Sequence, residues 1–452
     1  MENIILSSSI FMLALLAVLF VVGKGWSSSF TSFLFADRSL KVGSAGLAIS
    51  AHWFWAIAIF VGPAVAYNWG IIGLLWFVIP NALSLLVVGY ITSRVRDRYP
   101  DGYSLTQYVK DNFSTRVSGL YQLEFALVAF AALILAFTAI SKLWAFAGLA
   151  TIIDPIYASL AVGLVTVAFT MRGGLRTSIF TGSIQTVLWL ICAAIITAAI
   201  VMGDGSYLSL GKNNLDTVFN EKFLTTFAVA WFVAIMVGAT GHGMMWQKSF
   251  SMPKENIMPA YAVGAVAFAL VSYGVAQLGM YAFANGLEVK AADTSQMVTM
   301  VALLGAGALV VFATILVGQT STVMDAALNY ISSLISMDWL KKREVAVGQT
   351  IMLVFMLFAW LVSWLKLEIW TIVMLMGCVR ISMFVPVFLH SVNVRLREQA
   401  IFYASLVAVV GSFYLSYTAR MDKLPIYDMY SALFALLVPA GILLVTQERE
   451  TA

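Results

Sequence analysis

Two ionisable side chains, Asp325 and Arg380, lie deep inside long apolar runs of this chain. A charge at membrane depth costs about 2.5–3.5 kcal/mol or more, so each is a functional candidate that needs a named partner. For Arg380 two readings stand: an ion pair with Asp325 or Glu124 that fixes helix packing, or a planar fork that receives a substrate carboxylate. His52 and His242 sit at comparable depth, and each requires a hydrogen-bond partner that a site or a water-filled path supplies. Trp53 and Trp55 flank His52 and serve either as filling or as cover for an apolar or cationic part of a solute. Ser321 and Thr322 are adjacent hydroxyls, a pair that bonds back to carbonyls of its own helix or to a neighbouring helix unless it ligates something. Asp325 follows Ser321 by four residues and so shares its helix face. Cys192 and Cys378 lie inside apolar runs and give neither a disulfide framework nor a metal spacing. No nucleotide loop, metal cluster or nucleophile with a base is present, so an enzyme is not expected.

These groups have to be held by elements that live in lipid. Of 452 residues 61% are hydrophobic and only 11% charged, against roughly 25% charged in a soluble domain. The net charge of +4 is small and its basic residues are scattered, which excludes a nucleic-acid partner. Apolar runs occupy residues 5–23, 45–69, 71–93, 117–149, 154–171, 175–202, 223–245, 256–285, 300–336, 345–366, 368–392, 398–418 and 425–446. Each approaches the roughly 20 residues that cross a bilayer, and the first has no basic lead-in to mark a cleaved signal. The expectation is an all-α polytopic membrane protein of about thirteen crossings, because strands would need a closed barrel pattern that is missing. Residues 1–452 read as a single transmembrane domain, and Tyr103–Phe113 as a short amphipathic helix on the membrane surface.

Basic residues favour cytoplasmic loops. With the amino terminus outside, 18 of the 26 Lys and Arg fall on the inner side, 7 on the outer side, and Arg380 within a run. Residues 24–44, 94–116 and 338–344 are therefore expected inside, 203–222 and 284–296 outside, and the carboxyl terminus in the cytoplasm of a multi-pass cell (inner) membrane protein.

Transporters built from inverted repeats carry discontinuous helices at matching places in their two halves. The second run holds Gly62 and Pro63, and the seventh holds Gly238, Gly241 and Gly243 in GATGHG. Runs two to six (45–202) and seven to eleven (223–392) then form two sets of five, each broken in its first member, with one leading run and two trailing ones at 398–446.

Five stretches resemble the sodium:solute symporter family: ADRSL at 36–40, ISAHWFWAIAIFVGPAVAY at 49–67, GGLRTSIFTGSIQ at 173–185, WQKSFSMPKE at 246–255 and QTSTVMDAALNYISSLISMD at 319–338. Their order and placement cover about two thirds of the chain and are specific for the family, not for a substrate. The resemblance implies a LeuT-type five-plus-five inverted repeat and a Na+ ion between the first repeat helix and the third helix of the second repeat. Carried over residue by residue, the ligands are the carbonyls of His52, Trp55 and Gly318 and the hydroxyls of Ser321 and Thr322, with Thr320 replacing Thr322 if the register shifts by one. Many relatives carry an acid directly after the threonine of the GGL motif, whereas here Thr181 precedes Gly182. Asp325 is the residue that replaces that charge and serves coupling.

The solute is expected between the two breaks, near Trp53, Ala58, Ile59, Gly62, Gly238, His242 and Arg380. Sugar-transporting relatives place polar groups where this chain has Ala58 and Ile59, which argues against a sugar. The function expected is sodium-coupled symport of a small organic solute by alternating access, with solute, sodium ion and lipid bilayer as partners. Proton coupling through Asp325, His52 and His242 is one alternative, and a solute-sensing membrane domain is the other, disfavoured because no kinase module follows residue 452.

Overall fold

The computed structural model describes residues 2–204, 215–288, 300–301, 303–367 and 369–447. Among the described residues every regular element is helical. The order is α1 (Glu2–Val22), α2 (Phe30–Phe35), α3 (Val42–Trp53), α4 (Ala56–Arg98), α5 (Leu105–Asn112), α6 (Thr115–Phe146), α7 (Pro155–Gly173) and α8 (Leu175–Asp204). There follow α9 (Val229–Met236), α10 (Gly243–Phe250), α11 (Lys254–Ala284), α12 (Ala306–Leu334), α13 (Val345–Ser363), α14 (Ile369–Ser391), α15 (Glu398–Met421) and α16 (Ile426–Val445).

Local chemistry sets several of these boundaries. Ser104 and Ser114 cap α5 and α6 by accepting from the N–H groups of Gln107 and Val117, each at 3.2 Å. Asp154 accepts from Ile156 N at 2.9 Å and Pro155 opens α7, where its missing N–H has no helical partner to lose. The expected surface helix is present as α5, with Leu105, Thr106, Tyr108 and Val109 turned inward. The ninth run starts its long helix only at Ala306, because Gly305 takes φ 99° and interrupts it.

Eleven helices among the described residues are long and apolar enough to cross a membrane, against the thirteen runs in the sequence. The difference has two sources. Residues 58–98 count once, yet α4 folds back at Gly70, whose φ of 59° and ψ of −146° lie outside the helical region. A Cβ at Gly62 would meet the Phe77 ring at 3.2 Å, whereas fifteen residues of straight helix span about 22 Å. The seventh run is divided between α9 and α10, each of eight residues.

The loops gather in two groups. Arg38 donates to the carbonyls of Pro100, Asp101 and Gly102, Thr106 donates to Asp338 at 2.6 Å, and Arg98 reaches the His390 carbonyl. Residues 24–44, 94–116 and 338–344 thus share one end of the bundle. At the other end the Tyr67 hydroxyl donates to the Leu287 carbonyl at 2.7 Å and Trp69 packs on Phe223. Of the two loops expected outside, residues 205–214 and 289–296 lie beyond the described residues.

Candidate functional site

The first break lies at Phe54 and Trp55, between α3 and α4, and not at Gly62 and Pro63 as the composition suggested. Both of those residues are helical. A Cβ at Gly62 would press on Phe77 and Ala276, so this glycine serves helix packing and faces away from the break. Ala58 and Ile59 are buried on the first turn of α4. The second break is where it was expected: α9 ends at Met236, a tight turn covers Gly238–Gly241, His242 is extended and α10 begins at Gly243. Gly241 is required by close approach, since a Cβ there would stand 2.5 Å from Cβ of Arg380.

The two breaks meet through side chains. The ring of His242 lies 5.4 Å from that of Trp53 and 4.8 Å from that of Trp55, both edge to face. Its Nε2 is 3.0 Å from Arg380 Nη1. Arg380 reaches from α14 with its Nε on the Met376 carbonyl at 3.2 Å, and it is 1% exposed. A Cβ at Gly238 would lie 3.4 Å from both Arg380 Nη1 and the Trp53 ring. Among the described residues Arg380 Nη2, Trp53 Nε1 and His242 Nδ1 are buried without a partner. Neither Asp325 nor Glu124 pairs with Arg380 among the described residues. Glu124 is buried and accepts from Ser382 at 3.0 Å.

Asp325 is engaged elsewhere. Its carboxylate takes hydrogen bonds from Ser178 and, at 2.6 Å, from Thr181 of α8. His52 Nε2 stands 3.7 Å from the same group and 3.2 Å from Ser178 Oγ. Lys248, counted from the sequence among the inner loop charges, is instead 1% exposed on α10. It donates to the Met244 carbonyl and lies within electrostatic reach of Asp325. Gly182 explains why an acid is not found after Thr181: a Cβ there would stand 3.0 Å from the Ala48 backbone and 3.4 Å from His52 Nε2.

At the residues assigned to a cation, the hydroxyls are divided. Ser321 Oγ bonds Thr166 Oγ1 at 2.8 Å, Thr320 bonds back to the carbonyls of Leu316 and Val317, and Thr322 Oγ1 is buried without a partner. Gly318 packs close to Gln185 and Phe11. The Trp55 carbonyl accepts from the N–H groups of Ala58 and Ile59. The carbonyl pair of the break that faces α12 is Ala51 and Phe54, one residue earlier than His52 and Trp55, and both accept from Gln319 Nε2 at 2.5 and 2.6 Å. Gln319 and Ser178 lie inside two of the family-like stretches, but the sequence reading gave neither of them a role.

The chain is 21% identical over 346 residues, 67% of its length and 47% of the relative's, to the Urea-proton symporter DUR3 of Oryza sativa subsp. japonica. It is 22% identical over 280 residues, 56% of its length and 40% of the relative's, to the Probable urea active transporter 1 of Schizosaccharomyces pombe (strain 972 / ATCC 24843). It spans about half the length of these curated relatives. Among solved structures it is similar to a Na+-coupled sialic acid symporter in a substrate-bound outward-open state, with a TM-score of 0.75, 17% identity and 99% of both chains covered. No family model matches the chain. The fold is that of the LeuT-type transporters, the resemblance to sodium:solute symporters read from the motifs stands, and these relatives are transporters rather than enzymes.

Proposed function

We propose that the chain is a secondary active symporter that moves a small, carboxylate-bearing solute across a cell membrane by alternating access, together with a cation. One observation carries the solute class: Arg380, buried at membrane depth, has His242 and a backbone carbonyl as partners but no carboxylate among the described residues. A buried guanidinium without an anion is costly, and a planar acid presented to its free Nη2 relieves that cost while accepting from Trp53 Nε1. Urea, the solute in the curated relatives' names, would also accept from these donors but would leave the charge uncompensated. Trp53, Trp55, Gly238 and His242 form the walls in this reading, with Ala58 and Ile59 as apolar lining.

For the cation, the proton is favoured. Asp325, His52 and Lys248 are titratable groups gathered between α3, α8, α10 and α12, so protonation of one carboxylate alters contacts in both halves of the molecule. Sodium is the second reading, and the Na+-coupled neighbour supports it. The halves 45–202 and 223–392 rock against each other, with 1–44 leading and 398–446 trailing, the amino terminus outside and the carboxyl terminus inside. Coupling then reduces to differential affinity of the two ligands for the two faces. Uptake of labelled carboxylates, amino acids, amines and urea into proteoliposomes, under either a pH or a sodium gradient, tests both parts. Acid-driven uptake of a carboxylate in sodium-free buffer is the expected result; uptake of urea alone, or only with sodium, overturns the solute or the ion.

A further inference from the structure

A helix that ends inside a membrane protein leaves carbonyl oxygens without donors, and those oxygens are a natural cradle for a hard cation. The last turn of α3 presents two of them, Ala51 and Phe54, three residues apart and turned toward α12. Both are already satisfied by one nitrogen. Gln319 Nε2 carries two N–H groups and gives one to each oxygen, at 2.5 and 2.6 Å, from a side chain with no solvent exposure. The partners fix the orientation of the amide, because turning it over would set Oε1 against two carbonyl oxygens. The neighbouring hydroxyls of Thr320 and Ser321 are engaged elsewhere, with their own helix and with Thr166.

We propose that Gln319 is a built-in substitute for a cation at this position: its amide bridges the broken end of α3 to α12, so the two helices close on each other without sodium, and residue 319 sets the ion selectivity of the transporter. An amide donates hydrogens where a metal ion donates charge, and the two carbonyls cannot tell the source of the positive end. The difference lies in exchange. A bound ion leaves with each cycle, whereas Gln319 stays tethered, so the α3–α12 contact is uncoupled from the sodium gradient and the driving force has to enter elsewhere. This rests on the transport reading above.

Purified protein is melted in sodium, potassium and choline chloride at alkaline pH, as wild type, Gln319→Glu and Gln319→Ser. Wild type is expected to melt at the same temperature in all three salts. Gln319→Glu keeps the size but replaces donor by acceptor, so three oxygens converge with nothing between them. It is expected to melt several degrees lower in choline and to recover specifically in sodium. Gln319→Ser, which frees the carbonyls and adds a hydroxyl, is expected to gain a sodium-specific shift and supplies the same reading should the glutamate variant not be recovered folded. A saturable sodium-specific shift in wild type, or variants as indifferent to sodium as wild type, overturns the proposal. Absence of uptake by wild-type proteoliposomes would strike the transport reading instead and leave these melting curves as they are.

Discussion

Thr181 on α8 donates to the carboxylate of Asp325 on α12 at 2.6 Å, at the residue just before the glycine where relatives in the resembling family carry an acid. The carboxylate of this chain thus comes from α12 and reaches the end of α8 next to Gly182. A Cβ at position 182 would press on Ala48 at 3.0 Å, and Asp325 reaches the adjacent space from α12. Ser178 and Thr181 supply the hydroxyls that hold it there.

Asp325→Asn is expected to abolish uptake driven by a pH gradient while leaving solute binding measurable, since the amide fills the same space but takes up no proton. Both changes remove the negative charge near buried Lys248, and Asp325→Ala also strips Ser178 and Thr181 of their acceptor, so it is expected to melt lower than Asp325→Asn. Melting temperatures beside uptake rates separate the two effects. Unchanged proton-driven uptake in Asp325→Asn would remove this residue from coupling.

Arg380→Gln is expected to lose affinity for acids at least tenfold, about 1.4 kcal/mol or more, with the protein still folded. Arg380→Lys is not expected to rescue it, because an ammonium lacks the fork that meets a planar carboxylate. Binding measured by equilibrium titration, together with elution as a single folded species, checks this. Loss of folded protein in Arg380→Gln would instead give the residue a structural role.

Ser321→Ala breaks one hydrogen bond to Thr166, which retains its bond to the Val162 carbonyl, so a loss of about 1 kcal/mol is expected. Thr322→Ala deletes a buried hydroxyl without a partner and should be neutral or slightly stabilising. Neither is expected to alter sodium dependence when uptake is titrated with sodium. A weakened sodium response in both would restore the hydroxyl cage suggested by the family resemblance.

Single cysteines at 24–44, 94–116 and 338–344 are expected to be shielded from an impermeant reagent added outside whole cells, and those at 284–288 to react. The contacts of Arg38 with 100–102 and of Thr106 with Asp338 make the first three groups move together. Labelling of one of the three without the others is therefore not expected, and labelling of all three would invert the topology.

Much of the architecture was legible because lipid leaves so few options: runs of apolar residues had to become helices, and GATGHG had to give way somewhere. Gly238 to His242 broke as glycine content suggested. Gly62 and Pro63 did not, because a proline near the start of a membrane helix loses one hydrogen bond that neighbours tolerate. The actual break at Phe54 and Trp55 carries no local breaker at all. It is held by Gln319, more than 260 residues away in sequence, and a contact of that range leaves no trace in composition. Lys248 was misplaced for a related reason, since its charge read as a loop until α10 buried it within electrostatic reach of Asp325.

Gly70 has a bearing on how the chain enters its membrane. A straight helix from 58 to 98 would be about 60 Å long, twice the thickness of the hydrocarbon layer. The single glycine at φ 59° turns it into a hairpin with almost no polar connector to be left outside. During synthesis the two arms have to be delivered as one unit, because the first has no polar tail on which to pause. A side chain in this sparsely populated backbone region costs about 1–3 kcal/mol, so Gly70→Ala is expected to show itself first as chain inserted with the wrong sidedness in a protease-protection assay, before any change in the folded protein is felt.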